Sequence, residues 1–253
     1  MKRKIYLAAL FLSAGFLFAG CDSDDENEIN NPTEKLPAKI IEKRGAENYT
    51  STFKYNDKHQ IVEFAAYEGQ DWGYTVNFFY EGDELLYTTT WWNDNNKITQ
   101  LDYSKTGNTI TSTGNENEKG DIRDVTYIIN INETGLPTSI NDPYGYIWTY
   151  KHDAKGNVVE YEDKYIETEA ISVSSTHNYD NNKGLFSMCT TPKWWWYQNR
   201  EYYNYLYNNL TKTIYTKGSD VSTWTYSIKT DADMYPVSIT SDDVTYTIEY
   251  KSI

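Results

Sequence analysis

Apolar and polar residues alternate along most of this chain. Near the C-terminus, Val244, Tyr246, Ile248 and Tyr250 take one phase, while Thr245, Thr247, Glu249 and Lys251 take the other. Trp224, Tyr226 and Ile228 alternate with Thr225, Ser227 and Lys229, and the same holds for Val125, Tyr127, Ile129 and Ile131 and for Tyr146, Trp148 and Tyr150. Successive side chains of a strand point to opposite faces, so each stretch predicts a strand with one apolar and one polar side. Burial on one face only is the pattern of antiparallel sheets.

Polar clusters separate these stretches. They run from Tyr55 to His59, Tyr80 to Asp83, Asn93 to Lys97, Asn132 to Gly135, His152 to Asn157, Tyr179 to Gly184 and Thr230 to Asp233. Asp and Asn make local turn hydrogen bonds and Gly supplies positive φ, so each cluster predicts a turn. The clusters recur as aromatic-x-Tyr-Asp-x-x-Gly-x-aliphatic, most fully in TYKHDAKGNVVEY, residues 149–161. FKYNDKHQIVEF and HNYDNNKGLF are variants, and ETGLPTSI is matched by ADMYPVSI. This recurrence resembles YD (RHS-type) repeats, and the chain resembles uncharacterised YD-like lipoproteins of Bacteroidetes-type bacteria. That resemblance implies stacked hairpins and a surface location, and leaves the activity open. The predicted fold is all-β: an antiparallel meander forming one large twisted, curling sheet, open and barrel-like.

One segment breaks the alternation. KWWWYQNREYYNYLY, residues 193–207, follows Pro192, and Tyr202, Tyr203, Leu206 and Leu210 fall near helical spacing. A short helical insert over 193–210 is predicted, packed as a cover on the sheet.

The N-terminus carries a different signal. Lys2, Arg3 and Lys4 precede an apolar run from Ile5 to Phe18, too short to span a bilayer as a stable helix. Ala19 and Gly20 then precede Cys21, which resembles a lipobox with Phe18 in place of the usual Leu. The resemblance implies cleavage before Cys21 and lipid attachment to its thiol; the other reading is an ordinary secretory signal with an incidental cysteine. Asp22 to Glu28 read DSDDENE, which resembles the surface-export signal of Bacteroidetes-type lipoproteins and also suits a solvated tether. The expected organisation is a signal peptide over 1–20, an acidic tether over 21–38 and a single all-β domain over 39–253.

Charge narrows the partners. The formal net charge is −14, and loss of Lys2, Arg3 and Lys4 takes it to −17. Nucleic-acid binding through phosphate neutralisation is not expected, nor a surface that hugs anionic lipid. The lipid on Cys21 is the expected membrane contact, and a glycan or surface protein the expected partner class.

Candidate chemistry is sparse. His59, His152 and His177 sit in or beside turn clusters without zinc spacing, and are expected to be solvated. Cys189 reads as a buried small hydrophobe. No nucleophile elbow, phosphate loop or dinucleotide fingerprint occurs, and the carboxylates concentrate in turns and on polar strand phases. The loops at Asp153 and Asp180 lack the acids of a calcium loop. No enzyme, cofactor or metal is expected. The candidate ligand-binding residues are Trp91, Trp92, Trp194, Trp195, Trp196 and Tyr197, because aromatic faces stack on sugar rings. Trp91 and Trp92 cannot share one strand face. For Trp194 to Trp196, a glycan platform and a core-covering insert both stand.

Overall fold

The computed structural model describes residues 33–253 apart from 70–71, 94–95, 119–120 and 243. The predicted signal segment, Cys21 and the tether up to residue 32 lie outside the described residues. Strand β1 (Lys35–Arg44) begins ahead of the expected boundary at Lys39. Leu36 is fully buried, and a register shift between Pro37 and Lys39 absorbs the proline, which has no N–H for the ladder.

Then come β2 (Glu47–Tyr55), β3 (Ile61–Glu68), β4 (Trp72–Glu81), β5 (Glu84–Trp92), β6 (Lys97–Thr106), β7 (Thr109–Glu118), β8 (Asp121–Ile131) and β9 (Pro137–Asn141). β10 (Tyr146–His152), β11 (Val158–Tyr165) and β12 (Ile171–Tyr179) lead into an insert holding helix α1 (Lys193–Gln198) and a 3-10 turn at Tyr203–Tyr205. β13 (Leu210–Lys217), β14 (Asp220–Thr225), β15 (Ser227–Thr230), β16 (Pro236–Ser241) and β17 (Val244–Ser252) follow.

The predicted curling meander is present, and it comes round on itself. Sequence neighbours pair antiparallel from β1 to β14 and from β15 to β17, and β17 returns to β1 with Ile248 opposite Ile40. The ring passes through one strand that changes partner. β14 bonds β13, β15 bonds β16, and between them the Tyr226 N–H donates to the Thr211 carbonyl. The ring is nearly closed: every strand pairs on both sides except β14 and β15, which each pair on one side among the described residues, so little of an open sheet's free edge remains.

Alternating strand direction sorts the connections to two ends. The tether end holds the start of β1, the end of β17 and both attachments of the insert. The mouth, at the opposite end, holds the connections after β1, β3, β5, β7, β9 and β11.

The recurring turn phrase has one physical basis. In five turns an Asn or Asp side chain accepts the backbone N–H groups two and four residues on, at 2.7–3.0 Å: Asn56, Asn132, Asp142, Asp153 and Asp231. The residue three positions on has positive φ, and is Gly135, Gly145 or Gly156 in three turns, His59 and Met234 in the others. Asp180 accepts four donors from Asn182 and Asn209, so its carboxylate is saturated by protein.

The apolar phase faces inward. Phe53, Phe64, Phe78, Leu101, Tyr103, Tyr127, Trp148, Tyr150, Ile239 and Ile248 belong to one buried cluster. The alternate phase faces outward and is largely polar, with Thr52, Lys54, Glu63, Asn77, Gln100, Asp102, Thr126, Lys151 and Glu160. Lys54 pairs with Glu63 across β2 and β3, and Lys39 with Glu249 across β1 and β17. A bilayer-spanning barrel needs the reverse, an apolar band outside. This wall therefore faces water.

Two histidines depart from expectation. His177 is on the inward phase of β12 and is buried between the hydroxyls of Ser175 and Thr213 at 2.9 and 3.0 Å. Burial lowers its pKa to about 4. His152 is half-buried against the insert, 3.0 Å from the Tyr197 hydroxyl, and burial lowers its pKa. Proximity to a turn in sequence did not place either ring in solvent, because both follow the inward phase.

Candidate functional site

The insert enters the ring at the tether end and fills it. Four successive residues of α1 step about 100° each, enough to face every direction around the helix axis. Trp194 meets Tyr103 of β6 at 4.8 Å, and Trp195 meets Phe78 of β4 at 4.6 Å. Trp196 packs on Phe186 at 4.3 Å, and Tyr197 stands perpendicular to Tyr150 of β10 at 4.9 Å. Wall surrounds the helix, so all four rings are buried; Trp195 is 1% exposed and Trp196 0%. The insert is the core cover, and its tryptophan run forms no surface platform. The expected helical spacing from Tyr202 to Leu210 yields only the short 3-10 turn.

Beyond α1 the chain reverses below the mouth. Arg200 and Tyr202 take positive φ, +56° and +46°, to make that reversal. Such values are unusual for side-chain-bearing residues and persist where surrounding contacts hold them. Here the contacts are hydrogen bonds to four strands. Gln198 Nε2 donates to Ser112 of β7 at 3.0 Å, and Arg200 donates to the Tyr161 hydroxyl of β11 at 3.1 Å. Tyr74 of β4 donates to Glu201 at 2.8 Å, and Tyr202 to Ser51 of β2 at 2.9 Å. The Arg200 guanidinium also lies 3.8 Å over the Trp148 ring.

Gln198, Asn199 and Glu201 of this segment floor a cavity of about 300 Å³ at the mouth, lined also by Trp72, Tyr74, Trp92, Tyr127 and Glu116 among others. The size suits a small ligand. Trp72 stands at 81° to Tyr74, with centroids 5.9 Å apart, and Tyr74 lies 5.0 Å from Trp92. The three rings make a corner. Burial raises the pKa of Glu201 against the lowering effect of the Tyr74 hydroxyl, and Glu42 adds to the rise. Glu116 accepts the hydroxyls of Tyr127 at 2.9 Å and Tyr144 at 3.2 Å. Gln198 is 5% exposed, and its Oε1 has no hydrogen-bond partner among the described residues.

Of the predicted ligand residues, the cavity gathers Trp92 at its wall and Trp195 at its base. Trp91 points to the outer face and is 39% exposed beside its cross-strand partner Ile98. Trp72, Tyr74, Glu116 and Glu201 are the residues that sequence reasoning passed over. Glu116 shares the inward phase of Ile110 and Ser112, but that phase of β7 reads Ile, Ser, Gly, Glu and is too polar for the carboxylate to stand out in the sequence. Glu201 is also an exception to the expected confinement of acids to turns and polar phases.

A second cavity, of about 500 Å³, lies at the tether end between Leu85, Ile110, Ile131, Pro192 and Trp194. The Lys193 ammonium beside it is already engaged, donating to the Cys189 carbonyl at 2.6 Å. Tyr103, Trp194 and the buried Thr191 also line this cavity; the mouth differs in its corner of three rings and in the buried Gln198 Oε1 without a partner among the described residues.

No known protein family matches the chain, and no curated protein does. Among solved structures, it is similar to a porin-like protein from Bacteroides uniformis, at 13% identity over 88% of this chain and 100% of the other, with a TM-score of 0.40. It is also similar to a porin-like protein from Bacteroides vulgatus, at 10% identity over 86% of this chain and 99% of the other, with a TM-score of 0.41. The resemblance to YD-type repeat lipoproteins is thereby corrected. No model of such a family matches, and β17 returns to β1 where stacked repeats would leave two ends open. The shared turn phrase reflects side-chain-capped turns, which any antiparallel ring can use.

Proposed function

We propose that this chain is a non-catalytic binding module, held at the outer-membrane surface by a lipid on Cys21, with the mouth cavity as its ligand site and a glycan as its ligand class. The observation that carries the reading is the corner of Trp72, Tyr74 and Trp92 above a floor of hydrogen-bonded polar side chains. Rings offer apolar faces to sugar rings, while Gln198, Asn199 and Glu201 offer directional partners to hydroxyls. The polar wall supports attachment by a lipid rather than by the barrel. The start of β1 and the mouth lie at opposite ends of the sheet.

A glycan array probed with residues 21–253, followed by tryptophan fluorescence titration, tests the ligand class. Binding that is lost in Trp92→Ala supports the site, and no binding across host and dietary glycans removes it. For the anchor, Cys21→Ser is expected to move the protein from the membrane fraction to the soluble fraction and to abolish labelling by a palmitate analogue.

A further inference from the structure

The lining of the mouth cavity contains two carboxylates, Glu116 and Glu201, and among its described residues no Lys, Arg or His; just outside it, Arg123 of β8 stands opposite Glu116 and Lys97 of β6 opposite Trp92, so Glu201 on the floor is the carboxylate that the inference uses. The one nearby cation on the floor segment is turned elsewhere, since Arg200 is held by Tyr161, Asp163 and the Trp148 face. Glu201 is held by a neutral phenol, the Tyr74 hydroxyl, and forms no ion pair among the described residues. At the same floor the Gln198 Oε1 is a buried acceptor without a donor among the described residues. Above these acceptors stand three aromatic rings, two of them perpendicular. Ring faces are negative and attract cations, most strongly where water is excluded. A chain of net charge −14 adds a long-range field of the same sign.

We propose that the mouth cavity selects sugars bearing a protonated amino group, with the ammonium received by Glu201 and the faces of Tyr74 and Trp92. This rests on the reading of the cavity as a glycan site. It sharpens that reading, because at Glu201 a neutral sugar would leave the carboxylate facing hydroxyls alone, and an anionic one would meet like charge there. The Gln198 Oε1 supplies a further acceptor to a donor-rich ligand, for which an ammonium offers three N–H groups.

The test uses short oligomers that share a backbone and differ in charge. Fully deacetylated chitosan oligomers are compared with fully acetylated chitin oligomers, neutral cello-oligomers and anionic oligogalacturonates, by calorimetry at neutral pH. The deacetylated oligomer is expected to bind at least about tenfold tighter than the neutral ones, with the preference shrinking as salt rises. In Glu201→Gln, whose amide can still accept from Tyr74, the charged and neutral oligomers are expected to converge. Glu116→Gln serves as the second variant should the first fail to fold. Equal or tighter binding of the neutral oligomers overturns the inference and leaves the glycan site standing. A preference that survives both substitutions also overturns it, and binding of no oligomer overturns the inference and the site together.

Discussion

Two tryptophan clusters with similar composition meet opposite fates. Trp91 and Trp92 lie on β5, where neighbours diverge, so one ring faces solvent and the other the mouth cavity. Trp194, Trp195 and Trp196 lie on a helix inside a ring of strands, where every direction is inward. The difference teaches that adjacency has no fixed meaning for exposure. A strand splits a pair between two environments, whereas a helix surrounded by wall buries all three.

The comparison can be broken most strongly at the helix. Trp195→Ala or Trp196→Ala is expected to cost about 3–5 kcal/mol, as for large buried aromatic truncations, read by urea unfolding. A loss under about 1 kcal/mol would mean that the insert does not fill the ring. The next effect lies on the wall beside the insert. The His177 ring is held neutral in the fold, with a pKa of about 4 against 6.5 when unfolded. Stability is therefore full above pH 6.5 and falls as pH drops towards 4, because the unfolded chain takes up a proton that the fold refuses. The total is on the order of 3 kcal/mol, and His177→Asn should flatten that part of the pH profile. Trp92→Ala, at the half-buried rim, is expected to cost about 1 kcal/mol or less in stability while weakening ligand binding at least about tenfold. Trp91→Ala is the smallest change, within about 0.5 kcal/mol and without effect on binding. A loss of binding in Trp91→Ala would move the site from the mouth to the outer wall.

Much of the fold was legible because period-two alternation is a local property. Val125 to Ile131 and Val244 to Lys251 announce strands and their inward phase without reference to any partner. The turns were legible for the same reason, since Asp153 or Asn132 bonds only to residues two and four positions on. The mouth cavity was not legible. Tyr74 opposes Trp92 through the register of β4 on β5, and Glu201 reaches Tyr74 across 127 positions of sequence. His177 misled because its neighbourhood in sequence is a turn, while its phase on β12 points it to the interior.

The sequence by itself determined the strands, their polar and apolar phases, the capped turns and the insert, because each follows from side-chain chemistry within a few residues. Only the tertiary structure decided that the sheet returns from β17 to β1, that the insert goes inside it, and that three rings and a buried carboxylate meet at the mouth. Those outcomes depend on register and closure, where residues far apart in the chain are brought to one place by hydrogen bonds between strands.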